Sequence, residues 1–385
     1  MIIQEGTTQK YDRRVRALKN KLRRVQVENI YSPHRWNYLY TCANLLHLLP
    51  FKEMDSEAFY RSLLYHEHLS ILDRKMLPEI TGRICYEGDL EFLRDHKKKG
   101  FIFCSYHFGS FHSLLYVFAK YGMNLAVAVS SQAYRSLAAE ITADVRRFCA
   151  EKNYHMNFEL LDIGSHAGSF RLLRRLKQGY NVLIYLDGET GNPKDERCEK
   201  WTSVNFLEGV LQVRKGIASI SHFVGAPIVP VISRREPDNG ITIHFFSPIR
   251  PEKETDVNHY VPSTTRKLFA LLEEQVANTP DQWEGWLYVN KMLSAKKYPL
   301  HYQKRVANVE TTKTYCFNKE RYALASDRKH HFLFDKYYYT SQNITSEILE
   351  LLAETGQQGG AAKINVVRKE ILEYFVNHQI FIEGD

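Results

Sequence analysis

From Gly100 onward the chain alternates short apolar runs with amphipathic stretches, and that alternation constrains its fold more than any other feature. FIFCSYHF reads as a strand ending at His107, residues 113–121 as a helix, 125–129 as a strand and 134–152 as a second helix. A helix over 170–177, the VLIYL strand, a helix over 215–224 and the PIVPVIS strand follow. Strand and helix in regular turn specify crossover units, and hence an α/β fold with a mostly parallel central sheet flanked by helices. In such sheets functional groups sit on loops beyond the carboxyl ends of the strands, where His107 and Asp187 both fall.

The flanks read differently. Residues 1–76 are expected to be a helical segment, with apolar spacings of three and four over 36–49 and 56–72 and Pro50 between them. The α/β domain is expected over 77–295. Residues 302–385 read as a separate small winged-helix-like α+β module, with strands near 332–339 and 379–382, helices near 344–352 and 366–376, and the loop-like ETGQQGGAAK. The chain has no internal repeat, which excludes solenoids and propellers. Its longest apolar runs, 182–186 and 226–232, fall short of the roughly 18 residues a membrane-spanning helix needs. The opening MIIQEGTTQKYD lacks the pattern of a secretory signal, so the expected location is the cytoplasm. Six cysteines without CxxC or Cys/His clustering read as reduced thiols, and Cys104 as a buried strand residue; no metal site is expected.

A net charge of +8 favours an acidic partner. Arg13, Arg14, Arg16, Lys19, Lys21, Arg23 and Arg24 crowd one segment in which Val15, Leu18, Leu22 and Val25 recur at helical spacing. That pattern suits a basic amphipathic helix lying on the inner face of an anionic membrane, and equally a solvated helix packing a narrow stripe on the main domain. Nucleic acid is not expected, because Glu347, Glu350, Glu354, Glu370, Glu373, Glu383 and Asp385 make the C-terminal module acidic.

The chemistry concentrates in YHFGSFHSLL. A histidine at a strand end can act as general base, because its ordinary pKa lies near neutrality. Gly109 and Ser110 would leave room for a substrate group, and amides at the start of the next helix could steady an oxyanion. HFGSFH resembles the lipid A branch of the lysophospholipid acyltransferase superfamily, whose signature is a His followed five positions later by Asp or Glu. LKQGYNVLIYLDGETG, SVNFLEG, VRKGIASISHFVGAPIVPVISRR and NTPDQWEGWLYVNK resemble its further blocks in order. The resemblance implies transfer of an acyl group from an acyl-carrier-protein or coenzyme A thioester to a hydroxyl or amine. His107 would be the base, Asp187, Gly188 and Glu189 the acidic turn that positions the acceptor, and Arg214 and Lys215 contacts for a phosphate or the carrier's phosphopantetheine. No cofactor is implied, the thioester being a substrate.

One position departs from that pattern. His112 stands where the orienting carboxylate belongs, and a neutral imidazole cannot stabilise an imidazolium as a carboxylate would. Three outcomes stay open: His112 orients His107 as an acceptor, another acid such as Asp187 or Glu189 supplies the charge, or the protein binds acyl groups or peptides without transferring them. The C-terminal FLFDKYYYTSQNITSEILELLAETG and VVRKEILEYFVNHQIFIEG resemble small PqqD-like domains, which implies a bound precursor peptide and a peptide-maturation pathway.

Overall fold

The computed structural model describes the chain apart from residues 1, 51, 96–99, 166, 189–199, 253–255, 295–308, 310–312, 328, 356–368 and 384–385, and the side chains of 2–8 and 94–95. Two compact units result: Met1–Arg24 with Ala58–Leu293, and Val25–Glu57 with Ser294–Asp385. The residues 1–76 that read as one helical segment are therefore shared between both units.

The first unit is a mixed α/β structure built on a seven-stranded sheet. Its strands are β1 (Ile84–Gly88), β2 (Ile102–Ser105), β3 (Leu125–Val129), β4 (Phe158–Asp162), β5 (Asn181–Tyr185), and, after the β6 (Trp201–Phe206) and β7 (Gly209–Arg214) hairpin, β8 (Ile228–Arg235) and β9 (Ile241–Phe245). The order is β1-β9-β8-β2-β5-β3-β4, and every pairing is parallel except β8 with β9. Parallel strands covered on both faces must be apolar almost throughout, as β2 and β3 are. Alternate residues then feed two cores. Phe103, Leu125, Val127 and Leu183 enter one, and Ile102, Cys104, Ala126, Ala128, Val182 and Ile184 the other.

Helix ends follow local chemistry. The Ser131–Lys152 helix is capped by Ser130, whose Oγ accepts from the Ala133 amide at 3.2 Å, and it ends at Asn153 in the left-handed region. The short Leu114–Lys120 helix, entered through a 3-10 turn at Phe111–Ser113, is buried from Leu114 to Ala119, so it fixes the chain after His107 from all sides. The Ile2–Leu22 helix sets Tyr11 and Val15 into the main core and buries Leu22, while Arg13, Arg14, Arg16, Lys19 and Lys21 face outward. Its apolar stripe is thus spent on internal packing, leaving a cationic outer face. Among the described residues no helix is long and apolar enough to cross a membrane.

The second unit carries a three-stranded antiparallel sheet, β11 (Tyr322–Ser326), β12 (His331–Asp335) and β13 (Thr340–Ile344). A smaller pair joins β10 (Tyr315–Phe317) to β14 (Phe381–Glu383). Helices Ser346–Thr355 and Lys369–Asn377 supply Leu349, Leu352, Leu372 and Phe375 to its core. The Arg35–Leu48 helix packs there too: Trp36 meets Phe332 and Phe334 edge-on at 5.4 and 5.9 Å, and Arg35 Nε donates to the Leu324 carbonyl at 2.8 Å.

Candidate active site

The register of β2 against β5 decides the site. Ser105 pairs with Tyr185, so the residues two beyond each strand end, His107 and Asp187, lie level across the carboxyl edge of the sheet. Asp187 is fully buried. Its Oδ1 lies 3.0 Å from His107 Nδ1, the His107 amide donates to both its oxygens at 3.0 and 3.1 Å, and Trp283 Nε1 donates to Oδ2 at 2.7 Å. These groups suit a carboxylate that only accepts, so Nδ1 carries the proton and Nε2 keeps its lone pair. The His107 side chain is 25% exposed, which leaves its outer edge open to a substrate. The rings of Tyr185 and Phe111, at 4.8 and 5.0 Å, hold the imidazole from two sides.

The segment after His107 is bolted down rather than open. The Gly109 amide donates to the Gln282 carbonyl at 2.9 Å, and the Glu284 amide donates to the His107 carbonyl at 2.9 Å. Gly109 has φ +58°, and a Cβ there would stand 2.2 Å from the Ser233 carbonyl oxygen. Gly109→Ala is therefore expected to lower stability by about 1–3 kcal/mol, the cost of forcing a side chain into a strained left-handed site; a thermal melt with an unchanged midpoint would contradict this. Ser110 is buried, and its Oγ donates to Asp73 Oδ2 at 2.5 Å, so it anchors the loop. Tyr11 donates to the other oxygen of Asp73 at 2.5 Å, and Arg235 closes the ion pair. The Ser110 carbonyl in turn accepts from Ser113 and Ser233.

His112 packs on the Phe111 ring at 4.2 Å, and among the described residues no hydrogen bond joins it to His107. Burial, then the Arg74 cation and His107, hold its pKa well below the usual histidine range. Below pH ~6.5 the unfolded chain gains a proton at this position that the folded chain refuses, so stability falls as pH drops toward the depressed value. His112→Gln is expected to remove a slope of at most about 1.4 kcal/mol per pH unit between neutrality and about pH 5, read from urea midpoints across that range.

Glu284 sits beside the pair, and burial together with the charges of Glu67 and Asp187 raises its pKa well above the carboxylate range. Cys104 is buried with its thiol pushed up by burial, which suits a core residue. Gly188 borders the histidine, a Cβ there reaching His107 Cε1 at 3.5 Å. Arg214 and Lys215 are placed by a different element: Arg214 ends β7 with its guanidinium 5.1 Å over the Trp201 ring, and Lys215 begins the Gly216–Val224 helix. Glu189 lies outside the described residues. Trp283, Glu284, Asp73 and Arg235 were not singled out by sequence reasoning. The only signal for Trp283 was its place in NTPDQWEGW.

A mostly parallel α/β sheet thus carries a histidine and a buried aspartate paired at the carboxyl edge of its central strands. Residues 71–289 match the family of bacterial lipid A biosynthesis acyltransferases, and the chain belongs to that family. No curated protein matches the chain. Among the described residues no cluster of His, Cys, Asp and Glu could hold a metal ion.

Proposed function

We propose that this acyltransferase moves an acyl group from a carrier-protein or coenzyme A thioester to the hydroxyl or amine of a lipid, with His107 as base and Asp187 as its orienting acid. The observation that carries this reading is the 3.0 Å contact between His107 Nδ1 and a carboxylate that is wholly buried. His107 Nε2 takes the proton from the acceptor as its oxygen or nitrogen bonds to the thioester carbonyl carbon. The tetrahedral intermediate then breaks its C–S bond, and the imidazolium returns the proton to the departing sulfur. Asp187 stabilises the imidazolium between these steps. Burial and the charges of Glu67 and Asp187 raise the Glu284 pKa and so disfavour a second charge beside the pair. His112, kept neutral, leaves the charged role to Asp187.

The outward cations of the Ile2–Leu22 helix suit reversible contact with the anionic inner face of a membrane. A peptide acceptor is favoured by one observation: β13 is an edge strand whose residues Thr340, Ser341, Gln342 and Asn343 are exposed and uncharged, without the Lys or Pro that usually blunts an edge. Slower amide exchange across β13 on adding a peptide substrate would support it, and unchanged exchange would remove it. The function is tested by intact mass spectrometry of lipid and peptide acceptors incubated with carrier-protein and coenzyme A thioesters. The expected result is a mass gain of one acyl group that His107→Ala abolishes. A protein that binds thioesters yet yields no acylated product would instead be a binding protein.

A further inference from the structure

A cavity of about 800 Å³ opens in the first unit, lined by neither His107 nor Asp187 nor Glu284. Cations converge on it from three elements: Lys19 and Arg23 from the first helix and the turn after it, Arg61 from the Ser56–Lys75 helix, and Arg234 and Arg235 from the end of β8. Its wall also carries carboxylates, and two of them are engaged locally. Asp281 accepts from Ser62 Oγ at 2.6 Å and pairs with His66 at 3.5 Å, and Glu236 pairs with Arg234 at 3.0 Å. Glu274 is the remaining one. Lys19 and Arg23 have no carboxylate partner among the described residues, and both are exposed.

Arg235 is 4% exposed and held by Asp73, yet its Nε and Nη1 are buried without a hydrogen-bond partner among the described residues. A buried guanidinium with donors to spare, together with Lys19 and Arg23 at a solvent-open mouth, makes a positive well suited to an anion that accepts several hydrogen bonds.

We propose that this cavity is a binding site for a phosphate ester, separate from the His107 site. Lys19, Arg23 and Arg61 face the phosphate oxygens at the mouth, Arg235 supplies the positive floor, and Leu22 and Tyr65 line the space for the organic part. The phosphate belongs either to a soluble ester or to a lipid headgroup, two sources that share the same recognition chemistry.

The test uses the full chain. Calorimetric titration with inorganic phosphate and phenyl phosphate reads soluble esters, and co-sedimentation with phosphatidic acid vesicles against phosphatidylcholine vesicles reads headgroups. Saturable binding of phenyl phosphate assigns a soluble ester, and retention on phosphatidic acid alone assigns a headgroup. In either case Lys19→Glu with Arg23→Glu weakens binding at least about tenfold, as loss of charge-assisted contacts requires. Lys19→Gln with Arg23→Gln covers the case in which charge reversal unfolds the helix end. Arg13→Glu with Arg16→Glu, on the same helix outside the cavity, leaves phenyl phosphate binding unchanged and weakens vesicle retention less than the cavity pair does, and His107→Ala leaves both unchanged, so failure of the acyl-transfer reading and failure of this one are distinguishable. No binding by any probe, or equal loss from the two charge-reversal pairs, overturns the proposal.

Discussion

Asp187→Asn is expected to lower the acyl-transfer rate by about 10²- to 10⁴-fold, the range seen when a base loses its correct tautomer. The asparagine oxygen can still accept from Trp283 or from the His107 amide. Its NH2 group then faces a donor, or turns the imidazole over so that Nδ1 accepts and Nε2 carries the proton. In the second arrangement the nitrogen facing the substrate no longer takes a proton, and in the first the imidazolium that forms has lost its counter-charge. His112→Gln is expected to cost less than about tenfold, because a ring held neutral, and bonded among the described residues to neither His107 nor a carboxylate, supplies no charge to the transition state. Initial rates of the two variants, measured beside the wild type, check the pair together. If position 112 carries the larger loss, the acid has been misassigned.

The second large effect concerns stability. Asp73→Ala is expected to cost about 3–5 kcal/mol, since it leaves the Arg235 cation buried without its counter-charge. The hydroxyls of Tyr11 and Ser110 lose their acceptor in the same step. Arg235→Met is expected to cost less, because Asp73 keeps both hydroxyl donors and the two unpartnered guanidinium nitrogens disappear. Urea midpoints of the two variants give the ranking, and an Asp73→Ala midpoint at or above that of Arg235→Met would contradict it. Because Ser110 lies three residues beyond His107, loosening this node is also expected to lower acyl transfer.

Much of the first unit was legible because parallel strands buried on both faces must be apolar runs. LAVAV became β3 with the expected bounds, and the helix expected over 134–152 starts three residues earlier, at Ser131, where the Ser130 cap begins it. What escaped lies where tertiary context outweighs local pattern. The strand β4, FELLD, sits at the sheet edge and mixes charge with apolar residues, so its sequence carries no buried run. The β6–β7 hairpin turns at Leu207, a non-glycine at φ +50° whose amide is held by Glu273 from 66 residues away; Gly209 follows the loop, but the left-handed position itself carries neither the Gly nor the Asn that would mark it.

The site was legible in the same uneven way. The sequence places His107 at a strand end with small residues behind it, and Asp187 at the end of another strand. That the two should meet depends on β2 and β5 being neighbours in register, which only the sheet order reveals. Trp283 reaches Asp187 across 96 residues, and Asp73 reaches Ser110 across 37, so neither contact leaves a local pattern. Gly109 and Ser110 were expected to make room for substrate. The close approach of Ser233 and the bond to Asp73 give both a holding task as well.

The pairing of His107 with Asp187 can be read without any substrate. In ¹⁵N-histidine-labelled protein, with the His107 signal assigned by its loss in His107→Gln, the neutral ring is predicted to carry its proton on Nδ1. That proton should resonate downfield through its bond to Asp187, and the signature should vanish in Asp187→Asn while surviving in His112→Gln. An Nε2-protonated ring in the wild type, or a signature that survives in Asp187→Asn, would contradict the pairing on which the account rests.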